Sequence, residues 1–518
     1  MGALAWIAVG VAALLLVTVA YDLVQRDHAI LRNFPVLGHF RYLLELVGPE
    51  LRQYIVTGND EERPFSRDRR RWVYASAKRQ NNYFGFGTDN ELENSANYVI
   101  VRHAAFPLPQ PHAGEPGFDP ESRLPCARVL GAARGRRHAF RPASVVNVSA
   151  MSFGSLGARA IEALNRGAAL AGCLHNTGEG GLSPYHCSGG DIVFQIGTGY
   201  FGCRDAAGRF SLERLQERLA EAPVRALEIK LSQGAKPGVG GFLPGAKVTA
   251  EIARIRGIPQ GHDCASPAEH TAFRDVDELL DFVEHLGAVT GLPVGIKSAV
   301  GQMSFWAELA ERMASEQRGV DFITIDGGEG GTGAAPLVFS DHVALPFKVG
   351  FAAVYREFAL RAVTDRVVFV GSGKLGFPEQ ALLAFALGCD LVNVAREAML
   401  SIGCIQAQRC HTGHCPTGVA TQNRWLQRGL DPARKSVRLA NYVQALRMEL
   451  LRLARACGAE HPALVPHDRL AILDAGFGTR SIEQVFGYQE GWGMAPDDDR
   501  RAIAELMRAA RVATRSAA

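Results

Sequence analysis

The chain has little cysteine, little net charge and no repetition. Ten cysteines in 518 residues cannot build the dense disulfide framework of a small secreted domain. Seven of them (Cys126, Cys173, Cys187, Cys203, Cys264, Cys389 and Cys457) are scattered, as suits a reducing compartment. A net charge of +3 gives no electrostatic footprint for nucleic acid or for a strongly acidic partner. Internal repeats and low-complexity tracts are absent. What remains, 47% hydrophobic and 21% charged residues, is the composition of a folded enzyme. The length admits one large domain with additions or two to three smaller ones.

One charge-free stretch stands out. Residues 1–21 carry no charged side chain, and about 20 apolar residues suffice to cross a bilayer as a helix. No Lys or Arg precedes the run, while Arg26, Arg32 and Arg41 follow it. The positive-inside rule then predicts a single-pass membrane protein with its main domain cytoplasmic. A cleaved signal peptide, with residues 18–20 as a small-residue cleavage site, is the alternative. The missing basic n-region and the length of the apolar run count against it. Residues 22–140 read as polar and irregular. They include a basic stretch, RPFSRDRRRWVYASAKRQ, suited to anionic headgroups or to a solvated face. A Pro-rich stretch, FPLPQPHAGEPGFDPESRLP, reads as an extended arm.

Beyond residue 140 come eight short apolar runs, each followed by a Gly-rich or polar turn: VVNVSAM (145–151), CLHNT (173–177), DIVFQIG (191–197), ALEIKLS (226–232), PVGIKSA (293–299), DFITIDGG (321–328), VVFVGSG (367–373) and CDLVNVA (389–395). Most intervals carry helical periodicity. Eight strand–helix units over about 250 residues predict an α/β fold of the (β/α)8 TIM-barrel type. The expected organisation is an anchor at 1–21, the irregular region and arm at 22–140, the barrel at 141–435 and a helical extension at 436–518. In such a barrel the chemistry lies where strands end. Those ends carry Ser149, Ser152, Asn176, Glu179, Gln195, Lys230, Lys236, Lys297 and Asp326. Lys230 and Lys297 sit in otherwise apolar strands, so their burial calls for a partner anion. Glu179, in NTGEGG, is equally suited to bonding neighbouring backbone amides. Two glycine sets, Gly328/Gly330/Gly333 and Gly371/Gly373/Gly376, match G-x-G-x-x-G. Neither sits in a complete Rossmann half, and glycines at the ends of the late strands suit a barrel's single-phosphate site. FMN is expected there rather than a dinucleotide.

The segment SIGCIQAQRCHTGHCPTGVATQ (401–422) gathers Cys404, Cys410 and Cys415. The gaps are too wide for a C-x-x-C redox pair, and three thiolates on a short loop read as ligands for iron–sulfur or zinc. His411 and His414 lie among them and keep zinc open.

SAMSFGSLG, NTGEGG, IKLSQGAKPGVGGFLPGAKV, EIARIRG, DGGEGGTGAAP and the cysteine segment together resemble, in order, the FMN-binding synthase domain of glutamate synthases. The resemblance spans about residues 140–422. It implies an oxidoreductase acting on CH–NH2 groups, in which 2-oxoglutarate and ammonia give 2-iminoglutarate and a hydride from reduced FMN gives glutamate. It implies catalytic roles for Lys236 and Glu179, and substrate contacts from Gln233, Lys236 and Arg256. FMN contacts would come from Ser149, Met151, Ser152, Gln195, Lys230, Lys297, Gly328, Gly330, Gly371 and Gly373. A [3Fe–4S] cluster would sit on Cys404, Cys410 and Cys415. The sequence also departs from that family. An apolar segment stands where the full enzymes begin with a glutaminase domain, so no release of ammonia from glutamine is expected. Val239 stands in KPGVGG where an acid is usual. No pyridine-nucleotide domain is recognisable, so a ferredoxin or a reductase is the expected electron donor. The alternatives are a membrane-anchored flavin/iron–sulfur electron-transfer protein with another acceptor, or a non-catalytic scaffold subunit.

Overall fold

The computed structural model describes residues 2–25, 28–92, 95–115 and 118–515. Met1, Arg26 of the basic flank, part of the Pro-rich arm and the last three residues lie outside the described residues. The chain divides into two compact units, Met1–Arg70 and Arg71–Ala518.

The first unit opens with the helix Ala3–Val24, whose first charged residue is Asp22. By length and composition it is able to cross a membrane. A short helix, Ala29–Asn33, and a longer one, Gly38–Leu51, follow, and the latter continues as a π-turn over Arg52–Val56. Residues 38–51, expected to be irregular, are helical. Phe40, Leu43, Leu44 and Val47 recur at helical spacing there, a pattern masked by the interleaved polar residues and by Pro49.

The second unit contains a closed barrel of eight strands. These are β1 (Val146–Val148), β2 (His175–Asn176), β3 (Ile192–Ile196), β4 (Val224–Lys230), β5 (Val294–Ser298), β6 (Phe322–Asp326), β7 (Val368–Ser372) and β8 (Leu391–Val394). Each falls on one of the eight runs read from the sequence. All neighbours are parallel, and β8 closes on β1 through Val392 opposite Val146. Every residue of β3, β5 and β6 is buried, as expected of parallel strands covered on both faces. Between β2 and β3 the connection is a 3-10 turn, Pro184–His186, in place of a full helix. The long interval after β4 holds the antiparallel pair Phe242–Leu243 with Cys264–Ala265 and the helix Ala250–Arg256.

Outside the barrel, Pro432–Ala456 forms a 25-residue helix. It starts cleanly: the Asp431 carboxylate accepts from the amides of Ala433 (2.9 Å) and Arg434 (3.3 Å), and Pro432 occupies the first turn. Its buried face includes Leu439, Tyr442, Val443 and Leu446. Leu439 meets the helix Ala158–Ala171 at Gly167, where a Cβ would come within 2.7 Å of the leucine; only glycine lets the two backbones approach so closely. The flanking segments are more ordered than their composition suggests. The strand Val99–Val101 pairs antiparallel with Leu470–Leu473, which pairs in turn with Thr479–Arg480.

Candidate active site at the barrel mouth

The strand ends β2–β7 deliver a set of buried polar groups. Deepest is Glu228 of β4, 1% exposed. Its carboxylate accepts from Asn176 Nδ2, Gln195 Nε2 and Thr324 Oγ1, each at 2.7 Å. Three neutral donors from three other strands satisfy a carboxylate that would otherwise be costly to bury. Above it, Lys297 Nζ lies 3.3 Å from Asp326 Oδ2. Asp326 also accepts from Ser372 Oγ (2.9 Å) and the amide of Gly234 (3.0 Å). Burial disfavours the Lys297 cation, but Asp326 and Glu228 outweigh it and hold its pKa above the ordinary lysine value.

The outer layer faces the loops. Lys230 Nζ contacts Glu179 Oε1 at 2.8 Å and donates to Gln233 Oε1 at 2.6 Å. Burial pushes the Glu179 carboxyl up, yet Lys230, with Lys236 and Arg256 beyond it, holds it below the usual carboxylate range. Glu179 has room because Gly197 lies beside it, where a Cβ would stand 2.6 Å from the glutamate Cβ. Lys236 is 4% exposed, and its Nζ donates to Ala334 O at 2.9 Å, linking the loops after β4 and β6. Burial, and then Lys230, push its pKa down to about 8, with Glu179 opposing. Arg256, at the end of the helix Ala250–Arg256, donates to Phe153 O at 3.1 Å and lies over the Phe201 ring. Glu179, Lys230, Gln233, Lys236 and Arg256 are thus one electrostatically connected group.

The other residues expected at a flavin are distributed around this group. Ser149 and Met151 are buried at the exit of β1, their amides bonded to Val394 O and Asn176 O. Ser152 follows at the loop, half-buried. Gln195 turns its carboxamide into the barrel toward Glu228. The amides of Gly328 and Gly330 donate to Leu345 O (2.9 Å) and Gly327 O (2.8 Å), so these two glycines offer close backbone approach rather than free N–H groups. Gly371 lies within β7 beneath the Phe347 ring, while Gly373, at its exit, adopts φ +132°.

The cysteine loop docks on the turn after β1. Gly157 N donates to Val419 O (2.9 Å), and Gln422 Nε2 donates to Gly154 O (3.0 Å) and Leu156 O (2.9 Å). Gln406 and Gln408 both take positive φ, 59° and 55°, so the stretch between Cys404 and Cys410 is held in a conformation that non-glycine residues rarely adopt. Cys415 is buried, Cys404 and Cys410 are partly exposed, and His411 and His414 are exposed. Burial raises the Cys410 thiol. Backbone amides at Ala420, Thr417 and Val419 outweigh burial at Cys415 and lower it. Among the described residues, no set of three side chains that includes a cysteine or histidine brings its donor atoms within 4.8 Å.

A family profile described as a conserved region in glutamate synthase matches residues 133–460. The glutamate synthase large subunit-like protein YerD of Bacillus subtilis is 40% identical over 488 residues, covering 88% of this chain and 92% of that protein. The chain belongs to the glutamate synthase family. The archaeal glutamate synthase (NADPH) of Methanocaldococcus jannaschii is 34% identical, covering 65% of this chain and 64% of that protein. Among solved structures, a mandelate oxidase with an FMN adduct is a distant likeness. It has 16% identity and a TM-score of 0.41, over 86% of this chain and 99% of that one.

Two residues of this glutamate synthase-family site escaped sequence reasoning. Glu228 lies inside an apolar strand run, and its only signal was a charge at an inward position between Leu227 and Ile229. Lys247 stands in the long interval after β4. It is 3% exposed, and its Nζ donates to Ser155 O (2.7 Å), Cys410 O (3.3 Å) and Ala420 O (3.4 Å). Nothing local in the sequence links it to cysteines far along the chain.

Proposed function

We propose that the chain is an FMN- and [3Fe–4S]-dependent oxidoreductase that converts 2-iminoglutarate, formed from 2-oxoglutarate and ammonia or an amine, to glutamate. The observation that carries this reading is the Glu179–Lys230–Gln233–Lys236–Arg256 group at the barrel mouth of a glutamate synthase-family chain. Bound FMN would supply the hydride, and the cluster on Cys404, Cys410 and Cys415 would supply electrons to it. The residues present fit both groups. Lys230 and Lys297 are buried cations at strand exits, Gly330 packs against Asp326, the partner of Lys297, and three thiols lie on a loop stitched to the turn after β1. Lys236 and Arg256 bind and orient the two carboxylates of the 2-oxo acid, with Gln233 as a neutral donor beside them. Glu179, held ionised by Lys230, accepts a proton from the incoming nitrogen as the imine forms. The bond from Lys236 to Ala334 O ties the loop after β4 to the loop after β6.

The membrane and donor assignments belong to the same reading. The helix Ala3–Val24 anchors the chain with its barrel on the cytoplasmic side, and a ferredoxin or a reductase provides the electrons. A second reading changes only the 2-oxo acid. It is favoured by Val239, an exposed apolar side chain three residues after Lys236.

The test is isotopic and spectroscopic. Anaerobic protein given a chemical reductant, 2-oxoglutarate and 15N-ammonium should form 15N-glutamate, and 2-oxoglutarate should perturb a flavin absorbance spectrum. A flavin spectrum unmoved by 2-oxoglutarate but moved by a bulkier 2-oxo acid would select the second reading. FAD in place of FMN would overturn the single-phosphate assignment.

A further inference from the structure

The first unit carries a second apolar surface beyond the spanning helix. On the helix Gly38–Leu51, Phe40, Leu43, Leu44, Val47 and Leu51 are 37–63% exposed. At 100° per residue they fill a stripe about 100° wide. Ile55, 75% exposed, continues it through the π-turn. The opposite side carries Arg41 and Glu45, paired at 2.8 Å. A face of this breadth is what an amphipathic helix buries, yet here it is open.

A polar staple fixes where this face lies relative to Ala3–Val24. Asp22, in the last turn of that helix, is fully buried. Its carboxylate accepts from Val36 N at 2.9 Å and contacts His39 Nε2 at 2.9 Å. His28 and Tyr42 meet beside it, with Tyr42 Oη 3.3 Å from His28 Nδ1 and their rings 5.3 Å apart. Asp22 ends the charge-free run and therefore marks the depth at which a membrane would give way to headgroups. The staple ties the start of the helix Gly38–Leu51 to that same depth. Polar-tipped rings such as Tyr42 favour that level as well.

We infer that Gly38–Val56 is an interfacial helix lying in the plane of the membrane, its Phe40–Leu44–Val47–Leu51 face in the acyl boundary and its Arg41–Glu45 face in water. The occupant of the open face is the bilayer itself. The inference rests on the reading of Ala3–Val24 as a membrane span, and it makes the attachment two-point, fixing the orientation of the chain's entry into the cytoplasm.

The test uses the intact full-length chain in nanodiscs of phosphatidylcholine and phosphatidylglycerol doped with a diazirine-bearing lipid. After irradiation, adducts are mapped by peptide mass spectrometry. Adducts are expected on both 3–24 and 38–56. Changing Phe40, Leu44, Val47 and Leu51 together to Ser should remove those on 38–56 and leave those on 3–24. Adducts confined to 3–24 in the unmodified chain would overturn the inference while the span stands. Cross-links from 38–56 to a second copy of the chain, without lipid adducts there, would overturn it in favour of a protein interface. Absence of adducts on 3–24 would bring down the span and the inference with it.

Discussion

The two ends of the barrel bury charge in opposite ways. At the N-terminal end, Asp321, just before β6, accepts from Val294 N at 2.8 Å and from Arg136 Nε at 2.9 Å. Arg136 also donates to Glu284 at 2.7 Å, and Arg134 sits 3.8 Å from Asp321. Two guanidiniums and two carboxylates close on each other there, and Leu130 bridges Phe140 to hold the turn that carries the arginines. At the mouth, cations outnumber their immediate partners. Lys230, Lys236 and Arg256 surround the single carboxylate of Glu179, and among the described residues Lys236 bonds only a carbonyl. Carboxylates matched in number to their guanidiniums mark a group held by its own partners, although Asp321 Oδ1, Arg134 Nε and Nη2 and Arg136 Nη2 make no hydrogen bond among the described residues. An excess of buried cation marks a place prepared for an anion from outside.

That contrast can be broken at several points. The largest effect is expected at the cysteine loop. Cys404→Ser, Cys410→Ser and Cys415→Ser should each lose iron, acid-labile sulfide and the cluster's visible absorbance. His411→Ala and His414→Ala, which change exposed side chains, should keep all three. Stoichiometric zinc in place of iron, lost with either histidine, would reverse the assignment. Next comes the N-terminal end: Asp321→Ala leaves two buried arginines with Glu284 as their remaining carboxylate and should cost about 3–5 kcal/mol in urea unfolding. The flavin spectrum of the folded fraction should not change. At the mouth the pattern should invert. Lys236→Met should weaken 2-oxoglutarate binding by about ten- to hundredfold, the worth of a charge-assisted hydrogen bond of ~1.5–3 kcal/mol, with FMN retained and urea stability little altered. A variant that unfolds instead would erase the distinction between the ends.

The smallest effect is a pH dependence. With its pKa near 8, Lys236 is a cation below that pH and neutral above it. Affinity for 2-oxoglutarate should therefore hold on the acid side and fall as pH rises through about 8, by up to about tenfold per unit. The fall should disappear in Lys236→Arg, whose guanidinium stays charged throughout. An identical profile in both proteins would assign the titration elsewhere.

Much of this was readable from the chain. Each of the eight strands lies where a short apolar run ended in glycine or a polar turn, because parallel strands covered on both faces need such runs. Lys230, Lys297 and Glu179 were visible as charges at strand exits, and the three cysteines by their clustering. The unreadable parts depend on contacts remote in sequence. Glu228 is satisfied by donors from β2, β3 and β6, and Lys247 reaches carbonyls of two loops far from its own. The helix Gly38–Leu51 hid for another reason: its stripe is interrupted by Gly48 and Pro49, which read as loop. The pairing of Val99–Val101 with Leu470–Leu473 could not be inferred from a three-residue strand, whose partner alone makes it one.

That last pairing bears on how the chain is made. Synthesis delivers residues 99–101 early and their partner only when residue 470 has emerged. At about 5–20 residues per second the wait is roughly tens of seconds. The barrel and the helix Pro432–Ala456 precede residue 470, so the sheet that joins the two flanks closes late, over a body already able to fold. During the wait an unpaired strand edge is exposed to neighbouring nascent chains, and a strand only three residues long gives them little to pair with.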